Sequence, residues 1–210
     1  MKMKHLNVQG KGSVSAEPDI VLISFTVSGA AMDYEAALKN LNNRVNNLRD
    51  NLLVSGLDKS DLKTSDFNVS IETDYKNDRR VFAGYRATHR LIIELPLEKE
   101  LLNSVLANIG EGYSGAQMNL QFSVKDTESL KEEVLIKAVN NARKNAEVLA
   151  SAAGVKLGEI REINYHWSEV HFFHRRAEMV YESAAEYNVD IEPEEISVSD
   201  KVTMIYEILD

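Results

Sequence analysis

The side chains best suited to metal chemistry lie close together in one stretch, where His166, His171 and His174 stand near Glu169 and Glu178. On a helix His171 and His174 are one turn apart and can share one ion. A zincin needs a pair of histidines four apart with a glutamate between them, and that spacing is absent. A polar arm with solvated histidines gives the same pattern, so the spacing assigns no metal, and His171 and His174 stand as the only candidates. A metal-dependent hydrolase built on these histidines and glutamates is the enzymatic alternative. The same stretch carries Trp167, Phe172 and Phe173. Aromatic rings in an otherwise polar arm are costly to leave in water, so these are the candidate interface residues.

Gly10-Lys11-Gly12 invites comparison with a phosphate loop. Such a loop sits between a strand and a helix N-terminus, whose amides hold the phosphate. These glycines instead lie within an extended pattern that leads into another strand, so no nucleotide site is expected. Space over Gly10 and Gly12 leaves a small-ligand binder as a further alternative. Ser13, Ser24 and Ser114 lack a nucleophile elbow. Glu132-Glu133 and the acidic Glu192, Glu194 and Glu195 supply carboxylates for a glycosidase pair, but acidic runs at helix starts and loops are ordinarily solvated. His89 lies mid-strand beside Arg90 and reads as a half-exposed strand histidine. No catalytic residue and no cofactor is assigned.

The chain carries a net charge of −9, and its Lys and Arg form no extended basic surface, which argues against nucleic acid as a partner. Cysteine is absent, which removes disulfides, thiolate nucleophiles and cysteine metal sites together. Apolar runs such as Leu91-Ile92-Ile93 are far too short to span a bilayer. The N-terminal lysines have no apolar run behind them, so no signal peptide is visible and a cytoplasmic location is expected, with export the alternative where a leader has been removed.

The elements that would carry these residues follow from periodicity. Leu135, Ala138, Ala142, Ala146, Leu149 and Ala153 recur at steps of three and four, predicting a helix from about Thr127 to Ala153, roughly 40 Å long. Its stripe is mostly alanine, so its axis can lie close to a covering sheet. Asp126 or Thr127 can cap its start and Gly154 can end it. Leu6, Val8, Gly10, Gly12 and Val14 share one side of a first strand. A second strand from Ile20 is apolar on both faces and therefore central. The short Glu17-Pro18-Asp19 turn suggests that the two pair antiparallel. Asp33 and Gly56 bracket a helix striped by Tyr34, Leu38, Leu41, Val45, Leu48 and Leu52, with asparagines opposite. Phe67, Val69 and Ile71 alternate in a half-buried strand, and a polar turn leads to a return strand, Val81 to Leu95, stopped by Pro96. A short helix, a strand from Met118, the long helix, a strand through Ile160 and a last strand from Val198 complete the order ββ-α-ββ-α-β-α-β-β. The expected fold is α+β: antiparallel-rich sheet packed by a long alanine-rich helix and two shorter ones.

Four stretches together resemble one family. VQGKGSVSAEPDIVLISFTV, GYRATHRLIIEL, AVNNARKNAEVLASAAGVKLGEIREI and ISVSDKVTMIYEI are similar, in order, to the opening strands, middle strand, long helix and last strand of SIMPL-domain proteins, which include the bacterial YggE type. The match leaves out a stretch at about 166–195 that breaks the periodic pattern and reads as an insert or arm, and the chain reads as one SIMPL-like domain over 1–210, or as two α/β sub-layers, with the α+β fold that the resemblance implies. The resemblance further implies large ring-like or channel-like homo-oligomers and no known catalytic residue. Bacterial relatives are linked to oxidative-stress tolerance, and the vertebrate member is an adaptor for a protein kinase. The acidic, histidine-bearing insert departs from the family pattern. The reading that results is a non-enzymatic, self-assembling or partner-binding protein.

Overall fold

The computed structural model describes residues 4–76, 79–112, 117–165 and 191–209. The elements are β1 (His5–Ala16), β2 (Ile20–Ala31), α1 (Tyr34–Val54), β3 (Lys63–Lys76), β4 (Arg79–Pro96), α2 (Lys99–Gly112), β5 (Gln117–Ser123), α3 (Thr127–Ala152), β6 (Lys156–Asn164) and β7 (Ile196–Leu209). This is the expected order, and with helices set against antiparallel sheets the fold class is α+β. The chain divides into two compact units, one holding β1, α3, β6 and β7 and the other β2 to β5 with α1 and α2.

In the first unit the sheet order is β1-β7-β6. β1 pairs antiparallel with β7 along its whole length, from His5 opposite Glu207 to Ala16 opposite Ile196. The expected β1–β2 pair therefore does not form. Glu17-Pro18-Asp19 joins strands of different sheets, and the C-terminal strand takes the place beside β1. A strand pairs with whatever edge matches its length and pattern, and β7 offers a partner for every residue of β1.

Helix α3 packs on β1 and β7 through Val134, Ala138, Ala142, Ala146 and Ala150, all buried. The stripe thus advances by fours only. Leu149, expected inside, is 49% exposed, and Leu135 is only half-buried. Strict steps of four follow one ridge of a helix, and a helix seated that close has no width left for leucine. The reason for the closeness is Gly10 and Gly12. A Cβ built on Gly10 would lie 2.1 Å from the Ala138 carbonyl oxygen, and one on Gly12 would lie 2.0 Å from that of Val134. The side chain of Asp126 caps the helix by accepting from the Ser129 N–H at 2.9 Å. Gly154, at φ +68°, turns the chain beyond the last residue.

In the second unit the sheet order is β3-β4-β2-β5. β2 is central as expected, with Val21, Ile23, Phe25 and Val27 fully buried on one face and Leu22, Ser24 and Thr26 half-buried on the other. Ala37, Leu41, Val45, Leu48 and Leu52 of α1 form the inner stripe, while Tyr34 at its first turn is half exposed. Gly29 repeats the device of the first unit: a Cβ there would lie 2.4 Å from the Leu41 nitrogen and 2.7 Å from the Ala37 oxygen.

Ala142→Leu is expected to cost roughly 1–3 kcal/mol, because neither the helix nor the glycine strand beneath can yield. Gly12→Ala is expected to reach the upper end of that range, since the added carbon meets backbone. Lys144→Leu, on the outer face, is expected to change stability by less than about 0.5 kcal/mol. Urea denaturation of the three variants checks the assignment; equal losses would place α3 on the wrong face.

Candidate functional site

The residues best placed for chemistry by sequence do not converge among the described residues. His171, His174, Trp167, Phe172 and Phe173 lie outside them. Among the described residues no cluster of three or more His, Asp or Glu is positioned to hold a metal. Glu133 pairs along its own helix with Lys137 at 2.9 Å, and exposed Glu192 stands 4.0 Å from Lys99, so both behave as surface carboxylates. The space over Gly10 and Gly12, left open for a small ligand by the sequence, is taken by the backbone of α3.

What the structure does single out is a strand edge. Each sheet ends in unpaired backbone groups, which recruit another strand unless they are covered or broken. On β1 the Lys11 N–H donates to Asn141 Oδ1 at 3.0 Å, and Asn145 Nδ2 donates to the Gln9 carbonyl at 3.0 Å. Helix α3 thereby spends its asparagines on that edge. β6 loses register with β7 twice, between Leu157 and Ile160 and again by Glu162, which spoils it as a template. β5 has only 7 residues. Beyond its end the β2 carbonyls of Ser28 and Ala30 accept from Arg44 at 2.7 Å and Asn40 at 3.1 Å. Asn40, part of an asparagine face chemically silent in the sequence, thus joins Arg44 in covering a strand edge.

β3 is the exception. It has 14 residues and forms one border of its sheet. Its single extra residue, Ser65, lies near the start; the second irregularity places the extra residue, Ala83, in β4 beside Gly84 at φ +123°. From Asp66 onward β3 alternates without interruption. Its side-chain hydrogen bonds run inward, Ser65 and Ser70 donating to the Arg90 and Arg86 carbonyls of β4.

The same strand carries an apolar stripe. Phe67 is 51% exposed, Ile71 62% and Tyr75 66%, with Phe82 across the hairpin at 49%. The half-buried reading of Phe67 and Ile71 is thus corrected. The alternation is real, but among the described residues of its unit nothing lies over the outer hairpin. Aromatic contacts knit the patch: Tyr85 meets Phe82 edge-on at 5.3 Å and Tyr34 at 5.7 Å, and Arg80 lies 5.6 Å over the Tyr75 ring. The rings therefore hold a fixed, exposed platform. Arg86 and Glu72 form an ion pair across the strands.

At the inner end of the patch His89 contacts the Phe67 ring edge-on at 5.5 Å and shares a 2.9 Å hydrogen bond with Thr64 Oγ1. Burial lowers the His89 pKa below its ordinary 6.5, and the charge of Arg49 lowers it further. The unfolded chain then binds a proton before the folded one does. Stability contributed here is complete above pH 6.5 and falls as the pH drops toward the folded value. Denaturant midpoints measured from pH 7.5 down to pH 5 should decline, and His89→Gln should decline less over about that window. An identical slope in both proteins would remove His89 as the cause.

Comparison with known proteins places this geometry in a family. The chain is 28% identical over 165 residues to the uncharacterized protein YggE of Edwardsiella ictaluri, covering 78% of this chain and 69% of that one. Against YggE of Escherichia coli K12 the identity is 27% over 164 residues, with 78% and 66% covered. The 26 kDa periplasmic immunogenic protein of Brucella melitensis is 29% identical over 170 residues, with 75% and 64% covered. The chain thus spans about two thirds of the length of these relatives. None of these names states an enzymatic activity. No helix among the described residues is long and apolar enough to cross a membrane. With the family model matched over residues 6–206, the chain belongs to the SIMPL family, described as protein of unknown function (DUF541).

Proposed function

We propose that this protein works without catalysis, by self-assembly or by holding a protein partner. The observation that carries the reading is the exposed stripe of Phe67, Ile71, Tyr75 and Phe82 beside a strand edge that nothing among the described residues covers. Fully burying one such side chain stabilises by roughly 1.5–3 kcal/mol, and half of that gain is still available to each. Association costs roughly 4–15 kcal/mol, so the stripe alone is marginal and strand pairing must add to it. That combination favours a partner that brings a strand as well as an apolar face, and a second copy brings both.

Trp167, Phe172 and Phe173, outside the described residues, belong to the same proposal as further contact residues. A role in stress tolerance rests on the resemblance to YggE-type proteins alone. Because the chain has no cysteine, assembly by these contacts needs no disulfide and works equally in a reducing or an oxidising compartment.

Multi-angle light scattering at micromolar concentration tests the proposal. The wild-type chain is expected to exceed monomer mass. Phe67→Ser, Ile71→Ser and Tyr75→Ser combined should lower that mass while leaving the denaturation midpoint of the fold nearly unchanged, as exposed positions do. Phe172→Ser with Phe173→Ser should weaken assembly as well. A wild-type chain that stays strictly monomeric, with no change in any variant, overturns it.

A further inference from the structure

The geometry points to a specific contact: β3 pairs antiparallel with β3 of a second copy, about a two-fold axis through Ile71, so that two four-stranded sheets become one continuous sheet. The inference rests on the self-assembly reading above and adds its edge, direction and register.

The edge follows from elimination within the described residues. β1 is interrupted at its middle, where Asn141 and Asn145 take the Lys11 N–H and the Gln9 carbonyl, β6 is broken by lost register, and β5 is short, with the exposed β2 carbonyls beyond it taken by Arg44 and Asn40. β3 alone presents a long, regular run with an apolar face. Adding a strand to such an edge satisfies its backbone groups, and a symmetric dimer can make that addition only in antiparallel sense.

The register follows from the sequence of β3. Residues directly opposite each other in an antiparallel pair point to the same face. Phe67, Val69, Ile71, Thr73 and Tyr75 share one face of β3, because they alternate in an uninterrupted strand and Phe67, Val69 and Ile71 stand opposite His89, Ala87 and Tyr85. An axis through Ile71 sets Phe67 against Tyr75, Val69 against Thr73 and Ile71 against its own copy. Every exposed apolar residue of the strand then meets an apolar or β-branched partner. On the other face Asn68 meets Asp74 and Ser70 meets Glu72.

Neighbouring registers that keep the stripes on one face fail by charge. An axis through Val69 sets Asp66 against Glu72, and an axis through Ser70 sets Asp66 against Asp74. An axis through Glu72 sets that carboxylate against itself. Like charges directly opposite are destabilising in a sheet. Axes nearer the N-terminus run into the extra residue at Ser65, which interrupts alternation. A slip of half a step sets apolar residues against polar ones and moves the two stripes to opposite faces.

The absence of cysteine makes the register directly readable. Opposed residues in an antiparallel pair have Cα atoms about 4.5–5.5 Å apart, within disulfide range. The full-length Ile71→Cys variant, oxidised mildly and run on a non-reducing gel, is expected to convert almost wholly to covalent dimer. Phe67→Cys and Tyr75→Cys should each stay monomeric on the gel, since each would lie roughly 27 Å from its own copy. A mixture of the two should cross-link, and so should Val69→Cys mixed with Thr73→Cys, which keeps Ile71 in place.

Light scattering on the same samples separates the two possible failures. Assembly above monomer mass with no cross-link at Ile71 and none in either mixture overturns the β3 register and leaves self-assembly standing. Cross-linking of Phe67→Cys or Tyr75→Cys to its own kind also overturns the register. A monomeric wild-type chain overturns both readings.

Discussion

A glycine strand lying under a helix backbone lets the two approach to a distance at which no side chain fits between them. Both units use that contact. In the first, Gly10 and Gly12 meet the backbone of α3 at Val134, Ala138 and Ala142; in the second, Gly29 meets α1 at Ala37 and Leu41. The closeness has a second effect. It brings side chains flanking the helix stripe within reach of the strand's own amides and carbonyls. Asn141 and Asn145 touch Lys11 and Gln9, and Asn40 and Arg44 touch Ala30 and Ser28. A helix riding higher, without glycine beneath it, could not bond the strand with asparagine. The packing choice therefore decides which sheet edges are closed.

That link also explains why one edge stays open. The covering device needs a helix beside the strand, and among the described residues of its unit β3 has none: α1 packs mainly on β2 and α2 on α1, while β3 packs on β4. Length makes this unavoidable. β4 has 18 residues and spans roughly 60 Å at 3.4 Å per residue, whereas the 21 residues of α1 span roughly 30 Å at 1.5 Å. The inner half of the hairpin, from Ala87 to Leu95, is core; the outer half, from Arg79 to Phe82, lies exposed. Natural edges are commonly shortened, charged or bulged against unwanted pairing; β3 is neither short nor bulged over its apolar run, and the one such device it carries is charge, at Asp66, Glu72 and Asp74.

Much of this was legible in the chain. The element order, the cap at Asp126, the turn at Gly154 and the central place of β2 follow from propensity and period, which act locally. Strand partnership does not. Two strands separated by Pro18 look like a hairpin to any local reading, while the competing partner of β1 lies nearly two hundred residues away, at Ile196–Leu209. The exposure of Phe67 and Ile71 escapes a local reading for a related reason. Alternation says which side chains share a face, not whether anything covers that face. The signal was present in the mismatch between the length of the hairpin pattern and that of the helix before it. For the candidate site, the residues singled out by chemistry, His171, His174, Trp167, Phe172 and Phe173, lie outside the described residues, and the surface that emerged is made of backbone and ordinary apolar residues, for which no motif exists.

An interaction surface of that kind carries its specificity differently from an active site. A catalytic constellation fails when one atom is removed. A strand edge loses only a little with each side chain, because much of its holding power lies in main-chain hydrogen bonds that substitution leaves intact. What substitution changes is register, through side-chain pairs worth roughly 0.2–1 kcal/mol each and through the placing of like charges. The carboxylates Asp66, Glu72 and Asp74 on β3 are therefore as informative as its aromatics. They are spaced so that most alignments of the strand with its own copy bring two of them together, and a strand kept from pairing at random is one whose pairing matters.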